Sequence, residues 1–177
     1  MLLAVDQPDA PAIERARRLS IETAVLPAGR FRTRLEDERP WIEALKERGV
    51  SVVLLAGFMR RLHREFLSAF DGRILNIHPS LLPAFPGLEA IRRAFEHGVR
   101  VSGCTVHLVD AELDHGPVVA QAAVELRDDD TLESFETRIH ESEHRLYPMA
   151  VCRFITEPWR IEGRRLAFGA DAKVTGG

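Results

Sequence analysis

Ile74-Leu75-Asn76-Ile77-His78-Pro79-Ser80-Leu81-Leu82-Pro83 is the stretch on which the fold turns. An apolar run stopped by a proline reads as a strand covered on both faces, yet two polar side chains are set into it. Residues two apart on a strand share a face, so Asn76 and His78 project together near its carboxyl end. Upstream, Ser51–Ala56 repeats the apolar pattern, and Leu2–Val5 and Glu22–Leu26 read as shorter strands. Helical spacing fills the intervals at Asp9–Leu19, Trp41–Lys46 and Leu88–His97, and Thr131–Ile155 reads as one long helix bent at Pro148. Gly103–Val109 and Pro117–Leu126 add strands, Trp159–Phe168 an edge strand, and Gly169–Gly177 a frayed tail. Strands alternating with helices predict the α/β class, with a mostly parallel sheet and helices on both faces.

The chain has 177 residues, of which 45% are hydrophobic and 29% charged, the balance of one globular domain spanning 1–177. Twenty-four Lys and Arg against 27 Asp and Glu leave a formal charge of −3, too mild to point to nucleic acid or a membrane surface. The longest apolar run, around Ser51–Met59, falls far short of a membrane span, and Met1–Val5 is too brief for a signal-peptide core. Two cysteines, Cys104 and Cys152, cannot build a disulfide framework. The expectation is a soluble cytoplasmic domain, monomeric or homodimeric.

In open α/β sheets ligands lie beyond the carboxyl ends of the strands, here the residues after Ala56, Ile77 and Val109. An amide beside an imidazole suits chemistry on a carbonyl: Asn76 can donate to a developing oxyanion, and His78 can supply a proton or a charge. Taken alone, the pair reads rather as a core histidine with its bonds met and an asparagine capping a turn. Asp114, in the acidic loop Val109–Pro117, is suited to orient His78 and favour its protonated form. Alone, it reads as an Asx-turn residue ahead of Gly116-Pro117. In Ala56-Gly57-Phe58-Met59-Arg60-Arg61-Leu62, a glycine at a strand end lets backbone approach a ligand, with apolar and basic walls behind it. Phe58, Met59 and Leu62 read equally as core, and Arg60 and Arg61 as surface charges.

Four segments in order, LLAGFMRRL from Leu54, GRILNIHPSLLPAFPGLEAIRRAFEHG from Gly72, GCTVHLVDAELDHGPVVAQ from Gly103 and ESEHRLYP from Glu141, together resemble the phosphoribosylglycinamide formyltransferases. The likeness is dense from Ser51 to Phe154, and Phe85-Pro86-Gly87 is similar to the glycinamide branch of that superfamily. It implies a Rossmann-like sheet of the formyltransferase type. It also implies transfer of a formyl group from 10-formyltetrahydrofolate to the amine of 5′-phosphoribosylglycinamide, in purine biosynthesis and without metal. By the same resemblance, His78 is the general acid, Asn76 the oxyanion donor, and Asp114 the group that keeps His78 protonated. The folate would lie against Arg34, Met59, Arg60, Arg61, Leu62, Ile74, Asn76, Val109, Asp110 and Asp114. The ribonucleotide would lie near Gly57, Phe58, Met59, Pro79 and Glu143.

Two departures accompany the likeness. The family's opening strand and Gly-x-Gly-Ser-Asn phosphate loop have no counterpart, since Leu2–Val5 aligns with the family's second strand. The expectation is a shortened chain with unpaired strand edges, weak phosphate binding and low stability. His115 stands where the family commonly has a small or acidic residue, a titratable neighbour for Asp114. Rival readings are formyltetrahydrofolate hydrolysis, with water replacing the amine, and a folate-binding fragment without catalysis. His140-Glu141-Ser142-Glu143-His144 also satisfies the H-E-x-x-H zinc pattern, which needs a third ligand and a cleft beside it.

Overall fold

The computed structural model describes Met1–Gly169; the rest of the expected frayed tail lies outside the described residues. The chain read as a single domain forms two compact units, Met1–Val53 with Gly57–Arg73, and Leu54–Ala56 with the chain from Ile74 onward. Among the described residues, no helix is long and apolar enough to cross a membrane.

In the first unit, β1 (Leu2–Val5) and β2 (Glu22–Val25) run parallel, with Leu2 opposite Glu22 and α1 (Pro11–Arg18) as the crossover. α2 (Arg39–Glu47) buries Trp41 and Leu45 on its inward face, and the Trp41 indole N–H donates to the Pro27 carbonyl at 2.8 Å. α3 (Arg64–Ala69) is too short for its spacing to announce it. Its first N–H groups are orphans that the buried Glu38 carboxylate takes up, accepting from the backbone of His63 at 2.5 Å and Phe66 at 2.8 Å.

The second unit is built on a six-stranded sheet of β3 (Val53–Leu55), β4 (Ile74–His78), β5 (Val101–Leu108), β6 (Val118–Glu125), β7 (Trp159–Glu162) and β8 (Arg165–Phe168). Their spatial order is β3-β4-β5-β6-β8-β7. The α/β class stands, and its pairing is more mixed than the expected mostly parallel sheet. β1–β2 and β6–β8 are parallel, whereas β4–β5, β5–β6 and β7–β8 are antiparallel. One reason is local: β5 and β6 are joined by the helix-free loop Val109–Pro117, and a parallel crossover needs about a dozen residues or more.

β5 is buried along its length after Val101, as an inner strand should be. β3, expected to be covered on both faces, stands at the end of the sheet order and leaves Leu54 47% exposed. α4 (Ala90–His97) and α5 (Leu132–Thr156) complete the unit. Phe135, Ile139, Ser142, Leu146, Ala150 and Phe154 recur three or four apart and form the buried face of α5. Phe135 and Ile139 meet Ile91 of α4 in the core. The helix starts at a reciprocal cap, Thr131 accepting from the Ser134 N–H and Ser134 accepting from the Thr131 N–H, and it runs through Pro148 as one element.

Candidate active site

The second unit brings three sequence-selected residues and one unselected residue together. Asn76 and His78 leave the same face of β4. Antiparallel pairing places His107 of β5 directly opposite Asn76, on that face. Asp114 comes from the Val109–Pro117 loop, where its backbone adopts a left-handed φ of 51°.

His107 fixes the amide. Its Nδ1 lies 2.8 Å from the Leu108 carbonyl, which can only accept, so Nδ1 carries the proton. In the neutral ring Nε2 is then an acceptor, and the Asn76 NH₂ donates to it at 3.2 Å. Burial, above all, pushes the His107 pKa below its usual 6.5, which keeps that acceptor free of a proton. Asn76 retains a second amide hydrogen for another partner.

His78 is buried, with Nε2 2.9 Å from the Phe85 carbonyl and Nδ1 3.4 Å from Asp114 Oδ2. Both ring nitrogens thus face acceptors, which an imidazolium satisfies with a proton on each. The same Asp114 oxygen accepts the Gly87 N–H at 2.7 Å, and its other oxygen lies 3.8 Å from His107 Nε2. The carboxylate therefore stands between two imidazoles, one suited to carry charge and one held neutral.

A supporting layer holds the chain that follows His78. Thr105 Oγ1 donates to the Ser80 carbonyl at 2.7 Å and accepts the Leu82 N–H at 3.0 Å. Gln121, paired with Thr105 across β5 and β6, donates to Leu82 O and to Thr105 Oγ1, each at 2.9 Å. Tyr147 of α5 points its hydroxyl at Leu55 O (2.8 Å) and Leu75 O (3.0 Å), tying the end of β3 to β4, and burial drives its pKa upward.

The other expected ligand residues of this unit are placed as follows. Ile74 turns its side chain into the core, and only its carbonyl faces the loop, accepting the Val109 N–H at 2.9 Å. Asp110 accepts the Glu112 N–H at 2.9 Å and faces His115 Nδ1 at 3.1 Å. Pro79 lies in the turn closed by Ser80 N–H to His78 O. Glu143 pairs with His140 Nδ1 at 2.8 Å on α5, so one imidazole of the zinc-like pattern is engaged by a carboxylate that stands at a variable position of that pattern. Among the described residues, no group of three or more His, Cys, Asp or Glu is arranged to hold a metal ion.

In the first unit, Gly57 takes a φ of 67°, a backbone state that other residues resist. The Phe58 ring packs against Trp41 at 5.6 Å, Met59 is exposed, and Leu62 is half-buried. Arg34 and Arg61 meet in a parallel bridge, and the Arg34 guanidinium lies 3.9 Å from the Phe31 ring centre. Arg60 is not a free surface charge. Its guanidinium is buried, bonded to Asp6 at 2.7 Å and to the Phe31 carbonyl.

Comparison with known proteins shows the family. The formyl transferase family profile matches residues 1–151, running through both units. The phosphoribosylglycinamide formyltransferase of Bacillus subtilis is 45% identical over 150 residues, spanning 85% of this chain and 77% of that protein. The Escherichia coli protein of the same name is 42% identical over 156 residues, spanning 88% of this chain and 71% of its own. The crystal structure of glycinamide ribonucleotide transformylase 1 from Symbiobacterium toebii superimposes with a TM-score of 0.89 at 47% identity, covering 94% of this chain and 79% of that one. Asn76, His78 and Asp114 thus meet in a chain that belongs to the formyl transferase family.

Proposed function

We propose that this chain transfers a formyl group from 10-formyltetrahydrofolate to the amine of 5′-phosphoribosylglycinamide. The names of its relatives give formyl transfer and phosphoribosylglycinamide for them, and the folate donor follows from the resemblance of the sequence motifs. The supporting observation is the meeting of Asn76, His78 and Asp114 around one position in the second unit. The folate derivative supplies the activated formyl carbon. Amine attack forms the new C–N bond and places negative charge on oxygen. Collapse of that tetrahedral species breaks the bond from the formyl carbon to the folate N10, which leaves carrying a proton in exchange for the one the amine gives up. Asn76, held by His107, offers its remaining N–H to the oxygen. His78 brings positive charge to the same place, and Asp114 balances that charge while fixing the ring. The folate contacts proposed for the second unit are Ile74, Asn76, Val109, Asp110 and Asp114, and its ribonucleotide contacts are Pro79 and Glu143. No metal is required.

The test supplies purified chain with 10-formyltetrahydrofolate, with and without 5′-phosphoribosylglycinamide, and follows the formylated product by mass spectrometry. Product that depends on the acceptor is expected. Formate release without acceptor would move the reading to a hydrolase, and folate binding with no turnover would reduce it to a binding fragment.

A further inference from the structure

The loop carrying Asp114 is fastened from outside the site by a residue with no assigned role. Arg164 lies in the turn between β7 and β8, and its guanidinium makes two bonds to one residue of the loop. Nη2 donates to the His115 carbonyl at 2.8 Å, and Nη1 reaches His115 Nε2 at 2.5 Å. A guanidinium only donates, so His115 Nε2 must accept, and the ring is neutral with its proton on Nδ1. That proton faces Asp110 Oδ2 at 3.1 Å. The chain Arg164–His115–Asp110 therefore has one consistent protonation pattern. It closes on the loop itself, because Asp110 Oδ1 accepts the Glu112 N–H.

We propose that Arg164 is a positioning residue for the proposed transfer, acting through neutral His115 to hold the backbone that presents Asp114 to His78. Asp114 and His115 are adjacent, so fixing both the ring and the carbonyl of His115 holds its Cα, on which the Asp114–His115 peptide plane ends. Asp114 sits at positive φ, a conformation that persists only where the surroundings over-determine it. On its inner side the Gly87 N–H holds its carboxylate, and Arg164 supplies the outer anchor through His115.

The clasp responds to acid. Once His115 takes up a proton, Nε2 becomes a donor and meets the guanidinium donor head-on, with like charges facing. The charged groups facing the ring are Asp110, Arg164 and Glu112, whose Oε2 is 3.8 Å from Nε2. The imidazolium can turn to the two carboxylates, and Arg164 is released.

The proposal rests on the transfer reading for its kinetic test and has a second test independent of that reading. Arg164→Met removes the donors while keeping the stem. It is expected to lower kcat by about tenfold with KM for the folate little changed, less than the ~100-fold that an ångström of misplacement can cost. Arg164→Lys should recover part of the loss. The ratio of wild-type to Arg164→Met rates should fall toward one on acidification. A constant ratio across the pH range, or no loss in Arg164→Met, would overturn the positioning role. Side-chain ¹⁵N spectra at neutral pH should show His115 as the Nδ1–H tautomer in the wild type and a mixture in Arg164→Met. An Nε2–H tautomer in the wild type overturns the clasp whatever the reaction proves to be.

Discussion

Asn76 and His107 face each other across the β4–β5 ladder, and the 3.2 Å bond between their side chains decides which end of the amide is the donor. An asparagine is useful as an oxyanion donor only if its NH₂ group is turned to the right place. Here a histidine that cannot readily take a proton performs the turning. Asn76→Ala should lose about 100-fold or more in turnover, the ~3–4 kcal/mol scale of one such donor. His107→Ala should lose less, about tenfold, because the amide remains but swings. Steady-state rates on both variants decide it, and wild-type turnover in Asn76→Ala would remove that residue from the chemistry.

Asp114 does two separable jobs, accepting the Gly87 N–H and facing His78. Asp114→Asn keeps an acceptor for Gly87 and removes the charge, so the protein should fold with unchanged denaturation while turnover falls by roughly 100-fold. Asp114→Ala loses both and should also lose about 1–3 kcal/mol of stability through the unpaired N–H. Equal stability in the two variants would mean that the Gly87 bond contributes nothing.

Stability should depend on pH through His107. Its pKa lies below the usual 6.5, mainly through burial, so below that value the unfolded chain binds a proton that the folded chain resists. The contribution of neutral His107 is whole above the unfolded value and shrinks as pH falls through it. Urea midpoints are expected to drop between about pH 7 and 5.5, and to drop less in His107→Gln, which does not titrate there. The same slope in both proteins would assign the effect to other groups.

Arg60 offers a test in the first unit. Its ion pair with Asp6 is largely shielded, at 9% and 23% side-chain exposure. Arg60→Met should destabilise by about 2 kcal/mol, between the values for exposed and fully buried pairs. Chemical denaturation measures this directly. A rise in folate KM with unchanged stability would instead return the guanidinium to the folate contacts.

Asn76 and His78 stand out in the sequence as polar groups spaced two apart in a proline-stopped apolar run, and the family likeness, rather than the spacing, separates them from a satisfied core pair. Asp114 is legible by its loop and by likeness. His107 lies within a quoted segment and escapes notice, because its place opposite Asn76 follows from an antiparallel register and the alternation of elements suggested parallel strands. Arg60 reads as solvent charge because its partner Asp6 is remote in sequence, so no local pattern announces the pair. α3 is too short for periodicity to rise above chance, and the exposure of Leu54 depends on the place of β3 in the sheet order, which its own letters do not encode.

Gly116 packs so close to the end of β5 that an added Cβ would stand 1.9 Å from the Leu108 carbonyl oxygen. Ala111, Glu112 and Leu113, at the tip of the same loop, are exposed. Anyone remodelling this loop toward a different donor therefore has free choice at its crown and none at its stem. A single methyl group at position 116 would lever the strand end outward and carry the carboxylate two residues earlier along with it.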